Sequence, residues 1–310
     1  MLKRLPRGAA AQSAEAELRR AAATLADYAR LIRLDRPIGA LLLLWPTLWA
    51  LWLASRGHPG EHVFVVFVAG VWLTRSAGCA INDFADRRFD RHVARTATRP
   101  LTTGRVSVPE AILLFAILSM LAFALVLTLD RLTIELSIVG AGLTIVYPFL
   151  KRFFPLPQVW LGAAFSWSVP MAFAATTGQI SRLGWLLFVA GLLWTVVYDT
   201  MYAMVDREDD LKLGIRSSAI LFGDADRLIL AALQVMVLFA LYLIGEQAHL
   251  GHWYTASLVL GALLFAWQQW LIRGRLPAAC FAAFLNNNWF GLVVFLGIAL
   301  DYLFQVPARR

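Results

Sequence analysis

Ile38-Gly39-Ala40-Leu41-Leu42-Leu43-Leu44-Trp45-Pro46-Thr47-Leu48-Trp49-Ala50-Leu51-Trp52-Leu53-Ala54-Ser55 carries no charged residue. About 20 helical residues cross the ~30 Å of hydrocarbon in a bilayer, so a stretch of this length and composition reads as a membrane span. Only helices or a closed barrel satisfy their backbone groups in lipid, and this run is continuously apolar where a barrel strand alternates. The spans are therefore helical. Similar runs recur along the chain, at roughly 63 to 82, 108 to 128, 132 to 150, 158 to 177, 183 to 204, 227 to 246, 253 to 272 and 288 to 304. The composition agrees, with 60% hydrophobic residues and a mean hydropathy of +0.66, above the range of soluble globules. The expected fold class is an all-α polytopic membrane protein with nine transmembrane helices.

The net charge of +8 belongs to topology and not to nucleic acid, because the basic residues sit in short segments between apolar runs. The N-terminal tail and the loops after the even-numbered spans hold most of the 28 Lys and Arg; Arg56, Arg131, Arg182, Arg309 and Arg310 fall on the opposite side, and Arg75 lies inside its helix. The positive-inside rule then places the N-terminus and these loops in the cytoplasm, and an odd number of spans sends the C-terminus to the periplasm. Glu15 and Glu17 precede any apolar core, which argues against a cleaved export signal and favours a bacterial inner membrane over a mitochondrial one. Residues 1–35 read as a cytoplasmic tail with an amphipathic interfacial helix over Leu18 to Leu34, and 36–310 as the nine-helix domain. For the first fifteen residues a disordered polar tail is an equal alternative. Cys79 and Cys280 lack any CxxC spacing and read as inert core thiols.

The two long cytoplasmic loops, Asp83 to Val106 and Val205 to Asp226, are rich in charge, and each follows an acidic cluster. The first cluster contains Asn82, Asp83, Asp86 and Asp90. If the helix continues past the membrane surface, Asn82, Asp86 and Asp90 step round it by only ~40° each and share a face. The second contains Asp199, Asp206 and Asp210, with Asp199 two turns further into the membrane. A carboxylate at that depth is costly and is a functional candidate by default. One offset relates Asn82 and Asp86 to Asp206 and Asp210, a weak internal repeat that would set both loops over one central cavity. Either cluster alone is also what a solvated juxtamembrane charge run looks like. Two with matched spacing on one side of the membrane point instead to Mg²⁺, which takes a few carboxylate oxygens, waters and substrate phosphates. Arg91, Arg95, Arg99, Lys151, Arg152, Lys212 and Arg216 lie in the same loops, and mixed signs imply a bridged anion such as a diphosphate. A transporter also uses intramembrane charges, but places them near span midpoints, where this chain has almost none.

Taken together, Asn82-Asp83-x-x-Asp86-x-x-x-Asp90, Asp199-x-x-Tyr202-Ala203-x-x-Asp206-x-x-x-Asp210, Arg36-Pro37-Ile38-Gly39, Leu44-Trp45-Pro46-Thr47, Arg99-Pro100-Leu101 and Ser217 to Gly223 resemble the UbiA superfamily of intramembrane prenyltransferases. Within it, the Trp45-Pro46-Thr47 and Ser217 to Gly223 stretches favour the branch that prenylates 4-hydroxybenzoate in ubiquinone biosynthesis. The resemblance implies nine helices round a central cavity open to lipid, with a cytoplasmic cap, and Mg²⁺-dependent transfer from polyprenyl diphosphate, with no obligatory protein partner. It implies that Asn82, Asp86, Asp206 and Asp210 bind the diphosphate through Mg²⁺, supported by Asp83, Asp90 and Asp199. It further implies that Arg95, Lys151 and Arg36 contact phosphate oxygens, that Tyr147 lines the cavity near the reacting carbon, and that Arg75 orients the aromatic acceptor. Trp194, Tyr198 and Phe165 are candidates for π contacts with an allylic cation, although packing is the commoner role of such residues.

Overall fold

The computed structural model describes residues 7–304 apart from Ala94 and Lys151. Those described residues form helices and connecting turns, and no strand occurs among them. The helices are α1 (Arg7–Leu31), α2 (Ile38–Ser55), α3 (Glu61–Asp86), α4 (Val108–Val126), α5 (Arg131–Leu150), α6 (Pro157–Ser166), α7 (Ser168–Thr177), α8 (Arg182–Ala203), α9 (Arg207–Leu213), α10 (Ser218–Phe222), α11 (Asp226–Ala248), α12 (His252–Leu271) and α13 (Pro277–Phe304). Among the described residues, nine segments are long and apolar enough to cross a membrane: α2, α3, α4, α5, α6 with α7, α8, α10 with α11, α12, and α13. The span count expected from hydropathy is thus the one found.

Local chemistry sets the ends and breaks. Ser107 and Glu110 form a reciprocal capping box at the start of α4, which satisfies two backbone donors that a helix start leaves over. Within the fifth span, Pro170 lacks the N–H that would bond the carbonyl of Ser166, and its ring crowds that carbonyl, so the helix breaks there into α6 and α7.

The largest buried side chains join α2, α8 and α13. Trp49 and Trp194 stack with ring centroids 5.1 Å apart, and Phe290 packs against both. Their indole N–H groups donate inside the bundle, Trp49 to the Gly291 carbonyl at 3.0 Å and Trp194 to Asn287 Oδ1 at 2.9 Å. Gly291 has no room for a side chain, since a Cβ there would lie 2.2 Å from the Trp45 ring. By contrast, α4 and α5 turn most of their apolar residues outward, Met120 and Ile138 among them, as helices facing lipid tails do.

Three expectations need correction. The last span starts at Pro277, well before residue 288, because the polar run Asn286-Asn287-Asn288 is inside the bundle and hydrogen-bonded: Asn286 accepts from Gln268, and Asn288 accepts from Trp45 Nε1 at 3.0 Å. The helix of the first acidic cluster does not reach Asp90 either. It ends at Asp86, and Asp90 opens a separate 3-10 turn, Asp90–His92. At the N-terminus the helix begins at Arg7, earlier than the amphipathic pattern indicates, and its last turn packs Leu31 with Leu101, Val106 and Ala111.

Candidate active site

One cavity of about 1320 Å³ runs through the bundle. Along α3 it is lined from Val66 to Asp86, a rise of ~30 Å at 1.5 Å per residue, which is the thickness of the hydrocarbon core. One end is apolar, with Val66, Phe67, Phe123, Val126 and Met171. The other carries both acidic clusters and several cations.

The chain places the site residues on the ends of three helices. Asn82 and Asp86 are on the last turns of α3, and Asp199 and Tyr202 on the last turns of α8. Asp206 follows the end of α8, and the amide of Asp210 in α9 donates to its carbonyl at 2.9 Å, so the two remain one helical turn apart. The cavity lining includes Asn82, Asp83, Asp86, Asp90, Asp199, Asp206, Asp210, Arg36, Arg75, Arg95 and Tyr147. Lys151 lies outside the described residues. Arg95 ties the two clusters together. It follows Asp90 by five residues, yet its Nε donates to Asp206 Oδ1 at 3.1 Å, and its guanidinium carbon lies 4.7 Å from the centroid of the Tyr202 ring. Burial opposes its charge most strongly, but the hydrogen bonds to Asp206 together with the negative ends of Tyr202, Asp206 and Asp90 outweigh it and hold its pKa above the usual arginine range.

Asp83 and Asp90 are placed differently from the other carboxylates. Asp83 is 2% exposed, and Arg33 Nη2 donates to both of its oxygens at 2.9 Å. Arg99 Nη1 bridges Asp83 Oδ1 at 2.9 Å and Asp90 Oδ2 at 2.7 Å. Burial raises the Asp90 pKa, Arg99 pulls it down, and Asp83 and Asp86 push it up again. These two carboxylates hold arginines from the α1–α2 turn and the α3–α4 loop.

Arg75 projects from the middle of α3 into the cavity. Its guanidinium lies against Phe165, 5.8 Å from the ring centroid, and against Gly39. Its Nε is buried and has no hydrogen-bond partner among the described residues. A buried donor in that condition suits an anionic oxygen. Arg36, by contrast, is largely exposed at the rim, 3.6 Å from Asp35.

Of the three aromatic candidates, Tyr198 and Phe165 line the cavity, whereas Trp194 is at zero exposure in the core and does not. Phe281 and Phe284 of α13 line it too, and Phe284 lies 4.7 Å from the Tyr202 ring. The sequence offered no signal for them, since α13 carries only a generic apolar pattern. Both cysteines are buried thiols.

Among the described residues no three His, Cys, Asp or Glu side chains converge closely enough to hold a metal ion unaided. Mg²⁺ binds through one or two carboxylates, retained waters and substrate phosphates. The donors lining this end of the cavity are hard oxygens, and cations stand beside them to balance a phosphate.

Comparison with known proteins agrees with this architecture. The model of the UbiA prenyltransferase family matches residues 43–296. A protein of Marinobacter nauticus named 4-hydroxybenzoate octaprenyltransferase is 60% identical over 283 residues, which cover 91% of this chain and 96% of that protein. The apo structure of a UbiA homolog from Aeropyrum pernix K1 superposes with a TM-score of 0.75 at 29% identity, covering 84% of this chain and 97% of the other. A UbiA homolog from Archaeoglobus fulgidus bound to GPP and Mg²⁺ gives 0.66 at 16% identity, covering 88% and 99%. A family match over most of the spans, joined to this helical ring and its two acidic clusters at one cavity end, shows that the chain belongs to the UbiA prenyltransferase family.

Proposed function

We propose that the chain transfers a polyprenyl group from polyprenyl diphosphate to the ring carbon of 4-hydroxybenzoate ortho to its hydroxyl, in ubiquinone biosynthesis. The acceptor follows the name of the 60% identical relative. The observation that carries the reading is the Arg95–Asp206 pair, which joins both acidic clusters at the polar mouth of an otherwise apolar cavity.

Asn82, Asp86, Asp206 and Asp210 would hold Mg²⁺, with Asp199 behind them, and the distantly related fold bound to GPP and Mg²⁺ supports that use. When bound, the ion supplies a Lewis acid for phosphate oxygens and a template for the leaving group. The chain's own residues do the rest. Arg95, Lys151 and Arg36 compensate the charge that grows on the diphosphate as its bond to the allylic carbon breaks. The apolar walls exclude water from the resulting cation and solvate the polyprenyl tail. Tyr147 and Phe165 present π faces to that cation. Arg75 takes the acceptor's carboxylate and so points the ring carbon at the reacting end. Asp83 and Asp90 support the site indirectly, by seating Arg33 and Arg99.

The acidic end faces the cytoplasm of a bacterial inner membrane, with the N-terminus on that side and the C-terminus in the periplasm. Arginine and lysine asymmetry between loops supports this orientation. The N-terminal segment lies at the membrane interface over its described part, 7–35, a placement that fits the exposure of Leu18 and Leu25 on α1.

The test uses purified protein, labelled polyprenyl diphosphate and a panel of phenolic acids and naphthoates. Product should form with 4-hydroxybenzoate above the others and cease with EDTA. Asp86→Ala and Asp206→Ala should each abolish turnover while the protein stays folded in the membrane. Preference for another acceptor would reassign the branch, and full rates in both variants would remove those aspartates from the site.

A further inference from the structure

Asp226 is at zero exposure, and its carboxylate belongs to no part of the cavity. An isolated carboxylate buried so completely is costly and calls for partners. The backbone N–H of Arg227 donates to Oδ1 at 2.6 Å, and two arginines from separate elements supply the charge. Arg275, in the turn between α12 and α13, donates from Nε to Oδ2 at 2.9 Å and from Nη2 to Oδ1 at 2.8 Å. Arg207 donates from Nη1 to Oδ2 at 3.3 Å. Arg275 also adopts a left-handed backbone, φ 52°, and its Nη2 donates to the Asp224 carbonyl at 2.8 Å, so the side chain is fixed at several points.

The position of Arg207 gives this cluster a consequence for the site. It follows Asp206 directly and is the first residue of α9, whose first turn carries Asp210. The α9 helix is only 7 residues long and has no fully buried side chain, so packing does little to fix its direction. On the face toward the cavity, Arg95 holds Asp206. On the other, Asp226 holds Arg207.

We propose that Asp226, with Arg275 behind it, is a positioning residue for the second acidic pair: by anchoring Arg207 it sets the start of α9 and hence the direction in which Asp206 and Asp210 meet a metal-bound diphosphate. This rests on the reading of those two aspartates as Mg²⁺ and diphosphate ligands. The geometry is that of an outer layer of contacts that orients metal ligands, where substitution typically costs 10- to 100-fold in metal affinity or activity.

The experiment titrates Mg²⁺ against prenyl transfer by the full chain in phospholipid vesicles and, as a readout apart from turnover, against binding of labelled polyprenyl diphosphate without acceptor, for wild type, Asp226→Asn and Arg207→Gln, the two midpoints moving together. Arg207→Gln leaves the Asp226–Arg275 pair in place, so it reports even if Asp226→Asn does not fold. The expected result is a Mg²⁺ concentration for half-maximal rate about 10-fold or more above wild type, with KM for 4-hydroxybenzoate little changed. Superimposable Mg²⁺ curves in Arg207→Gln and wild type would overturn the proposal. So would a lower rate at every Mg²⁺ concentration with an unmoved midpoint, which reports lost protein and not a displaced ligand. Failure of the underlying reading looks different: wild type itself would then work in EDTA.

Discussion

Arg75 and Gly39 make one unit, although 36 positions separate them in the chain. A Cβ on Gly39 would lie 2.4 Å from both Nε and Nη2 of Arg75, so the glycine exists to let that guanidinium lie flat against α2. The clashing atoms are the far end of a flexible side chain, which can swing away at little cost to the fold. Gly39→Ala should therefore leave thermal stability near wild type while moving the group proposed to orient the acceptor. Misplacing a binding group by about 1 Å costs up to ~100-fold in rate. The expected outcome is a 10- to 100-fold lower kcat/KM for 4-hydroxybenzoate, carried mainly by KM, with KM for the prenyl diphosphate unchanged. Steady-state kinetics with each substrate varied in turn check it; equal loss on both substrates would detach Arg75 from the acceptor. The Arg36-Pro37-Ile38-Gly39 motif was visible in the sequence, but the reason for its glycine was not, because the partner comes from another helix.

At the scale of elements, the α3–α4 loop is held down by Arg99, whose single Nη1 nitrogen serves Asp83 and Asp90 together. Removing it would leave two buried carboxylates short of a partner, with Arg33 alone on Asp83. Breaking such a buried pair costs about 3–5 kcal/mol. Arg99→Ala should lower the melting temperature measured in detergent. It should also weaken substrate turnover through Arg95, which is carried by the same loop. Arg99→Lys should recover only part of each, since the shorter side chain carries a compact, more strongly hydrated charge that costs more to bury between the two carboxylates. Both acidic motifs were legible from spacing alone, but their division of labour was not. Asp83 and Asp90 line the cavity as the other aspartates do, but Arg33 and Arg99 hold them, and that difference is decided by a loop that folds back over α3. The same holds for Asn286, Asn287 and Asn288, whose polarity hides the start of α13 from any hydropathy reading until their partners Gln268, Trp194 and Trp45 are in view. Trp194, a candidate for the cavity wall, is instead one of those partners.

For the whole molecule, continuous apolar runs specify nine spans because a bilayer leaves the backbone no alternative to helix, and this part of the fold was read almost completely from the sequence. What the runs do not encode is which faces surround a void, and the ~30 Å cavity had to come from the packing of the helices. Its polarity is one-sided: every acidic site residue gathers at one end, and Val66, Val126 and Met171 at the other. A diphosphate headgroup can enter such a site from one compartment only, so sidedness is a physical requirement of the proposed reaction. Cys280 is buried in the core, and Cys79, which lines the cavity, is replaced by serine to keep the labelling background low. Lys212, exposed on α9, marks the acidic end, and His58, exposed between α2 and α3, marks the opposite end. In inverted inner-membrane vesicles a membrane-impermeant maleimide should label Lys212→Cys and spare His58→Cys. In intact spheroplasts the pattern should reverse. Labelling of Lys212→Cys from the periplasmic side would turn the molecule over and place its active end away from a cytoplasmic supply of prenyl diphosphate.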